Sequence, residues 1–392
     1  ESFDLHTGGI DLVFPHHEDE IAQSEAATGK RFVGTWLHCA HLHVSGDKMS
    51  KSLGNIARVS DLLAEGVEPR ALRLALISAH YRTSLNYTPD SLPAALAAIE
   101  RLDAFDAALS ALDMLLMSHF SHMQVQAVAH RVVHGGQFFK ASVRVTPEVL
   151  AQLATLNALA PLHQPHNLAG VRAFAASFPD VPQVACFDTA FHRTLSPLET
   201  TFAIDRQLTA QGVRRYGFHG LSYQYLSQTL QAVSPRSSGR TLMAHLGNGA
   251  SLCATRAHES CATTMGFSAL DGLMMGTRSG ALDPGVLLYL MEQGWTHDAI
   301  QKLLYKQSGL LGVSGESADM RTLRASCSET AKFATDLFAH RVVREAGALT
   351  ACLGGLDVLA FTGGIGEHDA VLRQNVAQSL AYLGVSVDAA AN

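Results

Sequence analysis

From residue 124 onward the chain repeats one arrangement: a short apolar run, then Gly or Asp, then a helical stretch. The runs are Val125–Val133, Gln183–Phe187, Thr241–His245 and Leu356–Phe361. They have strand length and stop at residues that turn the backbone, so they predict α/β layers with ligand groups on the loops that follow strands. Ahead of them the texture differs. The pattern predicts a helix over His16–Thr28 closed by Gly29, a strand over Trp36–Val44 and a Gly/Ser/Lys loop over Ser45–Asn55. Two further helices are predicted over Pro69–Tyr81 and Pro93–Met117, the second an Ala/Leu run with Ser91 at its N-cap. The change of texture falls near residues 103–124 and divides the chain into an expected 1–108 and 109–392.

At 392 residues the chain is long enough for two or three domains with their own cores. Its formal charge of −6 gives no global electrostatic footprint for nucleic acid, so tRNA is not an expected partner. The six cysteines (Cys39, Cys186, Cys253, Cys261, Cys327, Cys352) form no C-x-x-C pair, which fits a reducing, cytoplasmic setting. No run of 18 apolar residues and no signal-peptide pattern occur, so no membrane partner is expected. The sequence opens on Glu1 in what reads as mid-domain sequence, and the expectation is a fragment.

In the first segment His16 and Glu20 stand four apart, on one face of the predicted helix. An imidazole and a carboxylate at that spacing can share a zinc ion, but a structural site usually needs four protein ligands. Taken alone, HHEDE is better read as a polar helix face. Lys48 and Lys51, in Lys-Met-Ser-Lys-Ser, carry charge on a loop that can neutralise the phosphates of ATP, though a lone basic loop is more often solvated surface.

Order and context decide between these readings. DLHTGGIDLVFPHHEDEIAQSEAATGK, WLHCAHLHVSGDKMSKSLGN and EPRALRLALISAHYRTSLNYT together closely resemble cysteinyl-tRNA synthetase, from residue 1 to about 105. The resemblance implies a partial class I Rossmann-type segment, with His16 and Glu20 as two vestigial zinc ligands and Lys48 and Lys51 in the ATP loop. The family's HIGH-type motif and its cysteine ligands are not in this sequence, and Cys39 lies in a different context. The expectation is that this segment does not aminoacylate.

In the second segment arginine is the natural clamp for carboxylate and phosphate, because its planar fork donates in parallel. Arg131, in HRVVHGG, ends a predicted strand before a Gly-Gly turn, and Arg278, in MGTRSG, lies among small residues. HLGNGAS puts His245, Gly247, Asn248 and Gly249 on a strand–turn–strand whose N–H groups can face phosphate, although alone it reads as an Asn-Gly hairpin. FTGGIGE follows a strand, with Glu367 expected at the start of the next helix. Asp188 follows the strand QVACF, where it can hold Mg²⁺, orient an acceptor or cap a turn. His219, in YGFHG, begins a helix, either as a donor to a transferring phosphoryl group or as a satisfied core histidine.

In this order the strings resemble acetate kinase from about residue 124 to the end. The resemblance implies the acetate/sugar kinase–actin-like two-domain fold, ATP and Mg²⁺ as cofactors, acetate as substrate and a homodimer. It implies that Arg131 and Arg278 hold acyl and phosphoryl oxygens and that Asp188 serves the magnesium site. His219 steadies the phosphoryl group, with His163 of APLHQPHN as a further catalytic histidine. Val133, Leu162 and Phe218 form the pocket for the acetate methyl. His245, Gly247, Asn248 and Gly249 meet the ATP phosphates. Asp319, Met320 and Arg321 of SGESADMR frame the adenosine with Gly364, Ile365, Gly366 and Glu367. The implied chemistry is direct in-line transfer of the γ-phosphoryl of ATP to acetate, with propionate a second substrate.

This chain departs from the family pattern at several points. The opening Asn/Ser-rich phosphate loop and the terminal magnesium glutamate are not in the sequence; Ala281 stands where an acidic residue is common, Tyr223 where histidine is frequent and Ala269 where proline is often found. Three readings stand side by side: an acetate kinase-type phosphotransferase, a cysteine-tRNA ligase-related ATP-binding fragment, and an inactive join of two gene fragments.

Overall fold

In the computed structural model the described residues are 3–9, 13, 17–40, 42–49, 58–77, 84–88, 90–97, 99, 118, 124–160 and 163–392. The chain forms two compact units, Glu1–Met123 and Gln124–Asn392. His16, Lys51, Leu162, residues 78–81 and residues 101–117, all of which carry sequence expectations, lie outside the described residues.

In the first unit β1 (Phe3–Gly9) and β2 (Val33–Cys39) pair in parallel, and the helix Glu18–Thr28 lies between them in sequence. Its first turn carries Glu18, Asp19 and Glu20, which complement the positive end of the helix dipole. Gly29 at φ 63° ends it in the left-handed conformation that glycine adopts without penalty. The expected strand Trp36–Val44 is two strands, β2 and β3 (Leu42–Val44), in separate sheets. The expected loop after it begins as a hairpin, because Ser45 and Gly46 both take positive φ and return the chain into β4 (Asp47–Lys48). β3 also pairs in parallel with β5 (Leu85–Tyr87). Ala71 and Ala75 of the helix Pro69–Ile77 pack with Ala95 and Ile99.

In the second unit β6 (Val128–Val132) pairs in parallel with β8 (Gln183–Phe187), and β7 (Val143–Arg144) flanks β8 antiparallel. The helices Pro147–Ala154 and Gln164–Ser177 connect them. The first is capped by Thr146, which accepts from Val149 N, with Pro147 supplying a preset φ at the first turn. Val132 and Phe187 from the strands pack with Leu153, Leu156, Leu168 and Val171 from this helical side.

The second sheet has the order β11–β10–β9–β12. β9 (Thr241–Leu246) and β10 (Ala250–Arg256) form the hairpin expected of HLGNGAS, β11 (Glu259–Thr263) extends it, and β12 (Val358–Thr362) runs parallel to β9. The helix Glu329–Leu353 packs on this sheet through Ala331, Ala334, Phe338, Val342, Ala346, Leu349 and Leu353, the three-and-four spacing of one helical face. Ser328 caps its start and Gly354 at φ 69° its end. Burying a side chain such as Phe338 stabilises this unit by about 2–3 kcal/mol.

Candidate active site

Arg131 is the penultimate residue of β6 and Asp188 directly follows β8; because these strands are neighbours in parallel register, both side chains emerge at the same sheet end. Arg131 Nη2 donates to Asp188 Oδ2 at 2.6 Å, and Arg131 Nε lies 3.1 Å from both carboxylate oxygens. The Asp188 side chain is 2% exposed and that of Arg131 66%, so Asp188 is the buried post and Arg131 the accessible fork. The pairing raises the Arg131 pKa, first through the hydrogen bond to Asp188.

His219 is the residue before the helix Gly220–Val233, at φ 59°. A histidine there is strained, and the loop is held on both sides: Gly220 N donates to the Asp188 carbonyl, and the Phe218 carbonyl accepts from His192 Nε2 at 2.9 Å. Because that carbonyl can only accept, His192 carries its proton on Nε2, and its Nδ1 then accepts from Ser260 Oγ at 2.8 Å. Burial pushes the His192 pKa down to about 4, so the ring is neutral. A Cβ on Gly217 would lie 2.6 Å from the His192 ring, which is why glycine stands there, at φ 75°.

The Nδ1 of His219 meets Ser251 Oγ at 2.7 Å, and its ring stacks on His245 with centroids 4.2 Å apart. Burial holds its pKa well below the ordinary value, with His245, Arg278 and Arg131 acting in the same direction. Arg278 comes from the loop after β11, and its Nη1 donates to the Ala269 carbonyl at 2.6 Å. A Cβ built on Gly249 would sit 2.7 Å from Arg278 Nη2 and 3.3 Å from His219 Nε2. Gly249 is therefore the floor on which these two groups meet. His163 precedes the helix Gln164–Ser177, and its pKa is lowered by burial and then by Arg278 and Arg131. The charges of Arg131 and Arg278 thus act on both His163 and His219, and Asp188 acts on Arg131 and His163.

Val133 and Phe218 are buried in one apolar cluster with Ala160 and Met265. The Val133 amide donates to Asn167 Oδ1 at 3.0 Å, and Gln164 takes both sides of the His134 backbone, at 3.2 and 3.0 Å. Asn167 and Gln164, like His192 and Ser260, had no part in the sequence reading. Both amides lie in APLHQPHN, beside His163.

A cavity of about 1110 Å³ opens beside the β9–β10 turn, lined by Gly247, Asn248, Asp319, Met320, Arg321, Gly364 and Ile365 among the expected nucleotide residues. Ala318, Arg324, His368, Asp369, Ala370 and Val371 complete its wall and were not anticipated. Asn248 lies against Gly276, where a Cβ would collide with its Oδ1, and its carbonyl accepts from Gly276 N at 2.9 Å. Asp319 caps the helix Met320–Ala325 and pairs with Arg321 at 2.6 Å, which holds its carboxyl at about 2. Two expected contacts lie elsewhere: Gly366 and Glu367 line a separate hollow that reaches Asn392. Glu367 also does not start the next helix. It sits inside the short helix Gly363–His368, and Asp369 caps the helix that follows, because its carboxylate accepts from Leu372 N.

Among the described residues no three His, Cys, Asp or Glu side chains cluster as a ready-made metal site. Magnesium does not require one, since it is commonly held by one or two carboxylates together with substrate phosphates, and buried Asp188 fits that mode. In the first unit Glu20 is half-buried on the helix Glu18–Thr28, and Lys48 lies in β4 opposite His43. Among the described residues no helix is long and apolar enough to cross a membrane.

Residues 75–392 match the model of the acetokinase family, and residues 1–97 match that of the class I (C) tRNA synthetase catalytic domain. An acetate kinase from Rhodopseudomonas palustris is 55% identical over 290 residues, 73% of each chain. An acetate kinase from Methylocella silvestris is 46% identical over 337 residues, 84% of this chain and 83% of that one. Among solved structures, a propionate kinase from Francisella tularensis subsp. tularensis superposes with a TM-score of 0.70 at 40% identity, over 73% of this chain and 76% of that one. The chain belongs to the acetokinase family, and its α/β core is that of the acetate and propionate kinases, carried behind a segment similar to a class I synthetase catalytic domain.

Proposed function

We propose that this chain transfers the γ-phosphoryl group of ATP to acetate, giving ADP and acetyl phosphate by direct in-line displacement. The observation that carries the reading is the convergence of Arg131, Arg278 and His219, beside a cavity lined by Asp319, Met320, Arg321, Gly364 and Ile365 of the expected adenosine residues. Acetate is an anion at neutral pH, so it attacks without a general base, and what the protein must supply is position and charge. Arg131 presents a fixed guanidinium to the acceptor carboxylate. Arg278 and His219, which meet over Gly249, face the phosphoryl oxygens, where charge accumulates in the transition state. Asp188 would hold Mg²⁺ jointly with the phosphates. Bound there, the ion would neutralise β- and γ-oxygens.

Val133 and Phe218 bound the acyl methyl, and the pocket sets acyl preference. One methylene changes discrimination by about 1–3 kcal/mol, so propionate is turned over at a lower kcat/KM than acetate. A homodimer is part of the proposal. The helix Pro284–Glu292 exposes Val286, Leu288, Tyr289 and Met291, with Leu282 and Trp295 beside it, an apolar surface of the kind that a second copy covers. We assign the reaction to the cytoplasm and set the division of the chain at 1–108 and 109–392.

A second reading, ATP binding by the synthetase-like segment, has the family match over residues 1–97 in its favour. The two separate by assay. ATP- and Mg²⁺-dependent formation of acethydroxamate from acetate and hydroxylamine supports the kinase. Cysteine-dependent exchange of pyrophosphate into ATP without hydroxamate overturns it.

A further inference from the structure

Tyr223 is fully buried, and its Oη lies 2.5 Å from Ser251 Oγ, which in turn lies 2.7 Å from His219 Nδ1. The proton order along this chain follows from counting donors. Among the described residues the Tyr223 hydroxyl has one hydrogen-bond partner, Ser251 Oγ. Ser251 Oγ is then the acceptor at hand for the phenol proton. If His219 donated from Nδ1 instead, Ser251 would either donate to Tyr223, leaving the phenol O–H without an acceptor, or accept from both rings, leaving its own buried O–H without one; either is the costlier arrangement. With Tyr223 donating to Ser251 and Ser251 donating to Nδ1, every hydroxyl on the path is satisfied.

From this geometry we infer that Tyr223 and Ser251 are positioning residues that lock His219 in the Nε2–H tautomer. The ring then presents a neutral N–H donor beside Arg278 Nη2, over Gly249. Burial keeps the imidazole neutral, which leaves the choice of tautomer as the only means of aiming a proton at an anion there. The wrong tautomer would direct a lone pair at the phosphoryl oxygens and repel them. The inference rests on the proposed role of His219 in phosphoryl transfer for its kinetic arm, but not for its spectroscopic one.

The test uses the full chain. In ¹⁵N-histidine-labelled protein, long-range ¹H–¹⁵N spectra should show the His219 ring, identified by its loss in His219→Gln, protonated at Nε2 and bare at Nδ1. Tyr223→Phe should bring in the Nδ1–H form and lower kcat about tenfold while the KM values for ATP and acetate stay within about twofold, since one hydrogen-bond-directed donor is lost only in the transition state. Tyr223→His, whose ring can also donate to Ser251, should restore the Nε2–H form and most of kcat. Ser251→Ala, which removes the link without touching the aromatic packing, should reproduce the Tyr223→Phe pattern. An Nδ1–H tautomer in the unaltered chain, or an unchanged tautomer in both Tyr223→Phe and Ser251→Ala, overturns the inference. If the chain makes no acetyl phosphate, the tautomer spectra still decide it.

Discussion

The Arg131 guanidinium grips the Asp188 carboxylate at two points, with Nη2 at 2.6 Å from Oδ2 and Nε at 3.1 Å from both oxygens. The acid is buried and the base is largely exposed, so the pair is asymmetric. Removing the base strands a charge, whereas removing the acid frees a cation into water. Arg131→Ala should therefore lower stability by about 1–3 kcal/mol, less than a fully buried pair would lose because solvent reaches the arginine. Combining it with Asp188→Asn should recover most of that loss and none of the activity. Urea unfolding of the single and double variants checks this, and a double variant no more stable than Arg131→Ala would show that the pair is not a structural unit.

Arg278→Ala has a different expected profile. Its guanidinium donates to the Ala269 carbonyl and faces the phosphoryl site. Losing such a charge-assisted donor should lower kcat by about 10²–10³-fold while the fold persists. Acethydroxamate assays with matched thermal melts measure it, and turnover within tenfold of the unaltered chain would remove Arg278 from the site.

Gly249→Ala places a methyl group 2.7 Å from Arg278 Nη2 and 3.3 Å from His219 Nε2. Both neighbours are side-chain ends, so they can shift and the fold should survive, but the two donors are pushed off their target. A fall in kcat of about 10²-fold is expected, because donor placement within a fraction of an ångström carries much of the transition-state stabilisation. Gly347→Ala, inside the helix Glu329–Leu353, where an added Cβ meets only the Tyr382 hydroxyl at 3.8 Å, serves as the control. Equal activity in Gly249→Ala and the unaltered chain would contradict the geometry.

Much of this arrangement was legible in the sequence, and what was missed has common physical causes. Strand placement at β6, β8, β9 and β12 follows from short apolar runs stopped by Gly or Asp, a local signal. The pairing of Arg131 with Asp188 is not local, since 57 positions separate them and only the β6–β8 register joins them. His192 was hidden for a related reason. Its function is to hold the Phe218 carbonyl, a backbone partner that leaves no residue-type signature. Tyr223 stood out only as an unusual residue, and its partner Ser251 lies in a strand that reads as core. The break between β2 and β3 and the position of Glu367 turn on one or two residues of backbone geometry, where periodicity carries little information.

Two buried histidines make stability depend on pH. Burial lowers both His134 and His192 to about 4. The unfolded chain, with its histidines near 6.5, binds more protons than the folded one between those values. The stabilisation is complete above pH 6.5 and is lost as pH falls toward 4. Near pH 5 the two together should give a slope of about 2–3 kcal/mol per pH unit. Melting temperatures from pH 7.5 to 4.5 check it: a plateau above 6.5 and a steep fall below is expected, and a flat profile to 4.5 would show that neither histidine is held neutral.

The central claim is phosphoryl transfer to a carboxylate by the residues around Arg131, Arg278 and His219, and it is most directly tested by ³¹P NMR of the full chain with ATP, Mg²⁺ and acetate. Acetyl phosphate and ADP are expected to rise together in equal amounts, and about 10²–10³-fold more slowly with Arg278→Ala. ADP accompanied only by inorganic phosphate, or no change in the spectrum, would contradict it.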